Sequence, residues 1–99
     1  MKLLELNIEK ILKLCKEYRV KSLYVFGSIL TNRFSENSDV DMEVDFNEMP
    51  LEEYVDNYLN LKEALEELFD RDVDLLESKA IQNPILRNNI NNSRMLVYG

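Results

Sequence analysis

The chain has no histidine and no tryptophan, and a single cysteine among its 99 residues. Without histidine it contains no imidazole base, no serine-histidine triad and no Cys/His zinc site. Cys15 has no second thiol for an internal disulfide, and its position on an apolar stripe reads as a small core residue rather than a reactive group. Long apolar runs are also missing. The longest are interrupted by Lys or Glu, so no membrane span, signal peptide or transit peptide is expected, and a reducing cytoplasm is the expected compartment. What remains for chemistry is carboxylates, hydroxyls, backbone amides and cations.

Those carboxylates are unevenly placed. The net charge is -7, yet residues 34–78 hold sixteen of the nineteen acids and two of the twelve bases. The segments on either side are basic. A surface so divided repels duplex phosphates over most of its area, which argues against direct nucleic-acid binding, and it suits a site that gathers divalent cations and then a polyphosphate. At this length, with 45% hydrophobic residues, one core and therefore one domain over residues 1–99 is expected.

Periodicity sets out the elements. Leu4, Ile8, Ile11, Leu12 and Cys15 form the stripe of an amphipathic helix over residues 3–18. VKSLYVF, residues 20–26, is β-branched and aromatic and stops at Gly27, as a buried strand ending in a turn does. DVDMEVDF, residues 39–46, alternates throughout, with Asp39, Asp41, Glu43 and Asp45 on one face and Val40, Met42, Val44 and Phe46 on the other. Pro50 opens a long helix to about Phe69, whose expected buried face is Leu51, Tyr54, Val55, Tyr58, Leu61, Leu65, Leu68 and Phe69. A short strand over residues 72–76, a helix from Pro84 and an extended piece over residues 95–98 complete the chain. This order predicts an α/β (α+β) fold, a small mixed or antiparallel sheet of three to four strands with helices on one side.

The stretch GSILTNRFSENSDVD, residues 27–41, concentrates the chemistry. Alternate strand residues lie about 6.6 Å apart on one face, so Asp39 and Asp41 can lean toward one point. Two carboxylates there raise one another's pKa unless a cation intervenes, and Mg²⁺ takes such oxygen ligands together with substrate phosphates. The plainer reading of Asp-x-Asp is a solvated acidic face. Gly27 lets the chain turn closely past a ligand, and Ser28 adds a hydroxyl and an amide suited to phosphate oxygens; alone, the pair reads equally as an ordinary turn. Asp74 shares a strand face with Asp72 and is the better candidate for a third carboxylate. Three carboxylates can hold two metal ions for an in-line transfer.

Together, Gly27, Ser28, Asp39 and Asp41 in the spacing G-S-x10-D-x-D, with Asp74 in DVDLLE, resemble the minimal nucleotidyltransferase (MNT) family of the DNA polymerase beta superfamily, along nearly the whole chain. The resemblance implies the polymerase beta palm-like fold and a two-Mg²⁺, ATP-using transferase. In it Gly27 and Ser28 hold the β- and γ-phosphates, Asp39, Asp41 and Asp74 bind metal, and Asp74 helps deprotonate the acceptor. It also implies a helical HEPN-type toxin as partner, with AMP passed to one of its tyrosines and this chain as the antitoxin. One departure stands out. Where many family members continue G-S-x-A-R-G, this chain has Leu30, Thr31 and Asn32, and Arg33 is displaced by two positions. Arg33 then either reaches the triphosphate or is a surface residue. The rival expectation is a catalytically degenerate binding module that neutralises its partner by contact alone. Transfer to a small molecule and association with a second copy of this chain stay open.

Glu43 and Asp45 are expected to be solvated or to stand behind the metal ligands, and Tyr54 and Tyr58 to be core residues. Arg87 and Arg94 read either as cationic helix ends or as contacts to nucleotide or partner.

Overall fold

The computed structural model describes residues 2–99. Helix α1 (Lys2–Glu17) leads into strand β1 (Val20–Phe26), a single 3₁₀ turn (Gly27–Leu30) and strand β2 (Val40–Phe46). Helix α2 (Leu51–Phe69) carries the chain to β3 (Val73–Glu77), and α3 (Pro84–Ser93) to β4 (Met95–Tyr98). The strands form one sheet in the order β3-β2-β1-β4. β1 runs antiparallel to both β2 and β4, whereas β2 and β3 are parallel. Parallel neighbours need a crossover, and α2 supplies it. The expected mixed sheet is therefore present, with the C-terminal extended piece as its fourth strand.

The core lies between one sheet face and the first two helices. Val40, Met42, Val44 and Phe46 point into it from β2, Leu23 and Val25 from β1, and Val73 and Leu75 from β3, against Leu4, Ile11 and Cys15 of α1 and Leu61, Leu65 and Phe69 of α2. Val20 joins the same face although it is three residues from Leu23. A register shift between Val20 and Ser22 explains this, because one extra residue moves Val20 to the inner side. At the end of α2, Asp70 takes a left-handed conformation (φ 52°) and turns the chain sharply into β3.

Three expectations need correction. Leu51 and Val55, assigned to the buried side of α2, are 78% and 57% exposed, and buried Asn57 takes a place on the inner face by donating to the Tyr18 carbonyl at 2.8 Å. The inner face is thus rotated away from the N-terminal apolar residues, since the helix must present Tyr54 and Tyr58 to β3: Tyr58 donates to the Leu75 carbonyl and Tyr54 to Glu77. Ile8 of the α1 stripe stands at the surface beside β4, with Leu4, Met95 and Leu96 around the same groove. Of the two expectations for Glu43, solvated or standing behind the metal ligands, the solvated one fails, since the residue is 1% exposed.

Candidate active site

β1 ends where the sheet face carrying the acids begins. Gly27 has φ +78°, a conformation that side chains disfavour, and a Cβ built there would lie 2.3 Å from Asp41 Oδ2. Glycine is thus required twice at this position, for the turn and for the carboxylate against it. The turn that follows is tied by Thr31, whose amide and hydroxyl both donate to the Ser28 carbonyl at 2.9 and 2.8 Å. Gly27, Ser28, Leu30, Thr31, Arg33 and Ser93 line an open cleft of about 540 Å³. Arg33 therefore borders the cleft despite its displaced position in the sequence.

The acids come from two backbone segments, β2 with its entry and β3. Asp41 is half-buried on β2, opposite Phe26 of β1 on one side and Asp74 of β3 on the other. Parallel neighbours lie about 4.8 Å apart, so Asp41 and Asp74 stand side by side on the same face. Asp39 is exposed and precedes the first residue of β2. Burial, then the charges of Asp74 and Asp39, push the Asp41 carboxyl above its ordinary value of 3.8. Among the described residues no three acids stand close enough together to hold a metal ion. Unneutralised carboxylates repel one another, and the charges of Asp74 and Asp39 add to the burial that raises Asp41. The Asp41 and Asp74 pair, an all-oxygen donor set beside the Gly27 edge of the cleft, suits Mg²⁺, which keeps several waters and shares its shell with phosphates.

The loop that delivers Asp39 is held by a residue that periodicity does not reveal. Arg71, just before β3, donates through Nη1 to the carbonyls of Ser35 and Ser38, both at 2.9 Å, and its guanidinium lies 4.7 Å from the centre of the Phe34 ring. The Val40 amide donates to the Asp72 carbonyl at 3.1 Å, so the entries to β2 and β3 are fastened together.

One step further along β2, Glu43 is enclosed. Its carboxylate accepts from Ser78 Oγ at 2.7 Å, Arg87 Nη1 at 3.0 Å and Arg94 Nη1 at 3.1 Å. Burial alone would raise its pKa; these hydrogen bonds and the Arg87 charge outweigh that and hold it below 4.5. The sequence left Arg87 and Arg94 undecided, and the only available signal was a glutamate in an alternating row with no base nearby in the chain.

The sequence profile described as "Polymerase beta, Nucleotidyltransferase" matches residues 9–99. A Methanocaldococcus jannaschii protein, MJ1379, provisionally named a protein adenylyltransferase, is 39% identical over 82 residues, covering 83% of this chain and 79% of that protein. Among solved structures, a provisionally assigned minimal nucleotidyltransferase superposes with a TM-score of 0.77 at 29% identity, over 95% of this chain and 92% of the other. The fold is shared also with a chain of the complex between a tri-AMPylated Shewanella oneidensis HEPN toxin and its MNT antitoxin, at TM-score 0.67 and 22% identity, over 96% of this chain and 71% of that one.

Proposed function

The chain belongs to the polymerase beta nucleotidyltransferase family, and from that premise we propose that it transfers AMP from ATP to a tyrosine hydroxyl of a HEPN toxin, as a single-domain antitoxin over residues 1–99. The observation that carries this reading is the pairing of Asp41 with Asp74 across two parallel strands, directly against the Gly27 corner that floors the cleft. In the reaction the acceptor oxygen bonds to the α-phosphorus as the bond from that phosphorus to its bridging oxygen breaks. Pyrophosphate leaves, and the acceptor proton passes to Asp74, whose exposed position meets an incoming hydroxyl. Gly27 and Ser28 hold the β- and γ-phosphates, and Arg33 adds a planar fork matched to phosphate oxygens. Two Mg²⁺ ions, held by Asp39, Asp41 and Asp74, would supply the positive charge that steadies attacking and leaving oxygens.

A protein acceptor is favoured by the name of the 39% identical relative. It is favoured also by apolar surface left open on α2, where Leu51, Val55 and Leu59 are 78%, 57% and 52% exposed. The contact-only rival rests on Leu30, Thr31 and Asn32; Arg33 in the cleft lining counts against it. The test is incubation with α-labelled ATP, Mg²⁺ and a HEPN toxin. Wild type is expected to label a toxin tyrosine with AMP and the Asp39→Ala, Asp41→Ala double variant to label nothing. Absence of label with wild type, while the double variant still neutralises the toxin, would hand the function to the contact-only module.

A further inference from the structure

Glu43 is fully buried and meets two guanidiniums, although it lies on the acid-bearing face of β2 two residues beyond Asp41. A buried carboxylate so enclosed carries a desolvation penalty that apolar packing would avoid, so its retention asks for a role. The sheet register indicates one. β1 and β4 pair antiparallel with Val25 opposite Met95 and Tyr24 opposite Leu96. Continuing that register one and two positions places Arg94 near Phe26 and Ser93 near Gly27, and Ser93 lines the cleft with Gly27 and Ser28. The end of α3 is therefore a wall of the nucleotide cleft, facing the turn that holds the phosphates.

What seats this wall is the Glu43 cluster. Arg94 sends Nη1 to both carboxylate oxygens of Glu43 at 3.1 Å and lays its guanidinium 3.9 Å from the centre of the Tyr24 ring, and Tyr24 is the β1 partner of Glu43. Arg87, about two turns upstream in α3, reaches Glu43 at 3.0 Å and the Ser78 carbonyl at 2.9 Å. The stretch of α3 from Arg87 to its Arg94 cap is thus fastened at both ends to one side chain, and the helix-to-strand junction cannot slide along β1 without breaking charge-assisted bonds.

We infer that Glu43, acting through Arg94 and Arg87, is a positioning residue that fixes the α3–β4 junction as the second wall of the nucleotide cleft. The inference rests on the cleft being the triphosphate site proposed above. It assigns Glu43 no contact with nucleotide or metal; its influence travels through the arginines to Ser93.

The test uses the full chain and three variants, Glu43→Gln, Arg94→Met and Ser93→Val. Three readouts are taken: thermal melting without ligand, affinity for a non-hydrolysable ATP analogue with Mn²⁺, and hydrogen exchange at the Thr31 amide. The expected result is affinity weakened about tenfold or more in Glu43→Gln and Arg94→Met, with faster exchange at Thr31. Ser93→Val is expected to weaken affinity with unchanged melting. If Glu43→Gln fails to fold, Arg94→Met and Ser93→Val decide, since both change partly or fully exposed positions. The inference is overturned if Arg94→Met lowers only the melting temperature while affinity and Thr31 exchange match wild type, for the cluster would then be merely structural. Should wild type itself bind no nucleotide, the triphosphate reading falls, and Thr31 exchange in Arg94→Met alone decides the positioning role: faster supports it, unchanged overturns it.

Discussion

Asp41 concentrates the electrostatic tension of the molecule. Burial and two neighbouring acids keep its carboxyl protonated to a higher pH in the folded chain than its ordinary value of 3.8. A group with a raised native pKa holds its proton more tightly when folded, so folding is favoured at low pH and loses that advantage as pH rises past the unfolded value and through the native one. Asp41→Asn removes the penalty. Its melting temperature should exceed that of wild type by a few degrees at neutral pH without metal, and the gap should close below about pH 4, where the unfolded carboxyl is itself protonated. Equal melting at pH 7 would mean that the acids do not strain one another. Gly27 gives the opposite case. Gly27→Ala places a Cβ where Asp41 Oδ2 now sits, 2.3 Å away, at φ +78°, and should cost about 1–3 kcal/mol of stability. Calorimetry should also find the affinity for metal and nucleotide together reduced further than that loss of stability alone implies, because the carboxylate itself must move.

Elements were legible wherever their apolar period was local. The strand over residues 40–46 declared itself by strict alternation, and the Gly27 turn and Pro84 helix by their punctuating residues. The buried face of α2 was misread at its first turn, because Leu51 and Val55 follow the period whereas the outcome is decided by what Tyr54 and Tyr58 meet on β3. The sequence puts Asp39, Asp41 and Asp74 forward as candidate ligands, and the register sets Asp41 beside Asp74; the sequence does not reveal the Arg71 fastening of the loop or the Glu43 cluster, whose partners lie 33 to 51 residues away along the chain. No local pattern encodes such pairs. Helix α3 offers a direct test of how an element serves the site. Asn83 Oδ1 accepts from the amides of Ile85 at 2.9 Å and Leu86 at 3.2 Å, capping the helix. Asn83→Ala should lower stability by about 1 kcal/mol, read by urea denaturation. No measurable change would show that α3 is held by its arginines alone.

At the scale of the whole molecule, two sheet faces divide the labour: one packs against α1 and α2, and the other carries the acids of β2 and β3. No helix among the described residues is long and apolar enough to cross a membrane. Cys15 sits at 0% exposure in the packed side, and burial pushes its thiol up to about 12. Its alkylation should therefore be negligible in the folded chain at pH 8 and become rapid in denaturant, so that modification counted by mass spectrometry reports opening of the core. Rapid labelling under native conditions would mean that α1 detaches on its own.

The acid side poses the question on which everything else depends, namely whether this face assembles around divalent ions and a triphosphate. Calorimetric titration of a non-hydrolysable ATP analogue, with and without Mn²⁺, into wild type and into the Asp41→Asn, Asp74→Asn double variant answers it most directly. Tight binding by wild type only when the metal is present, and its loss in the double variant, is the predicted result; binding that ignores the metal, or survives both substitutions, would contradict the account.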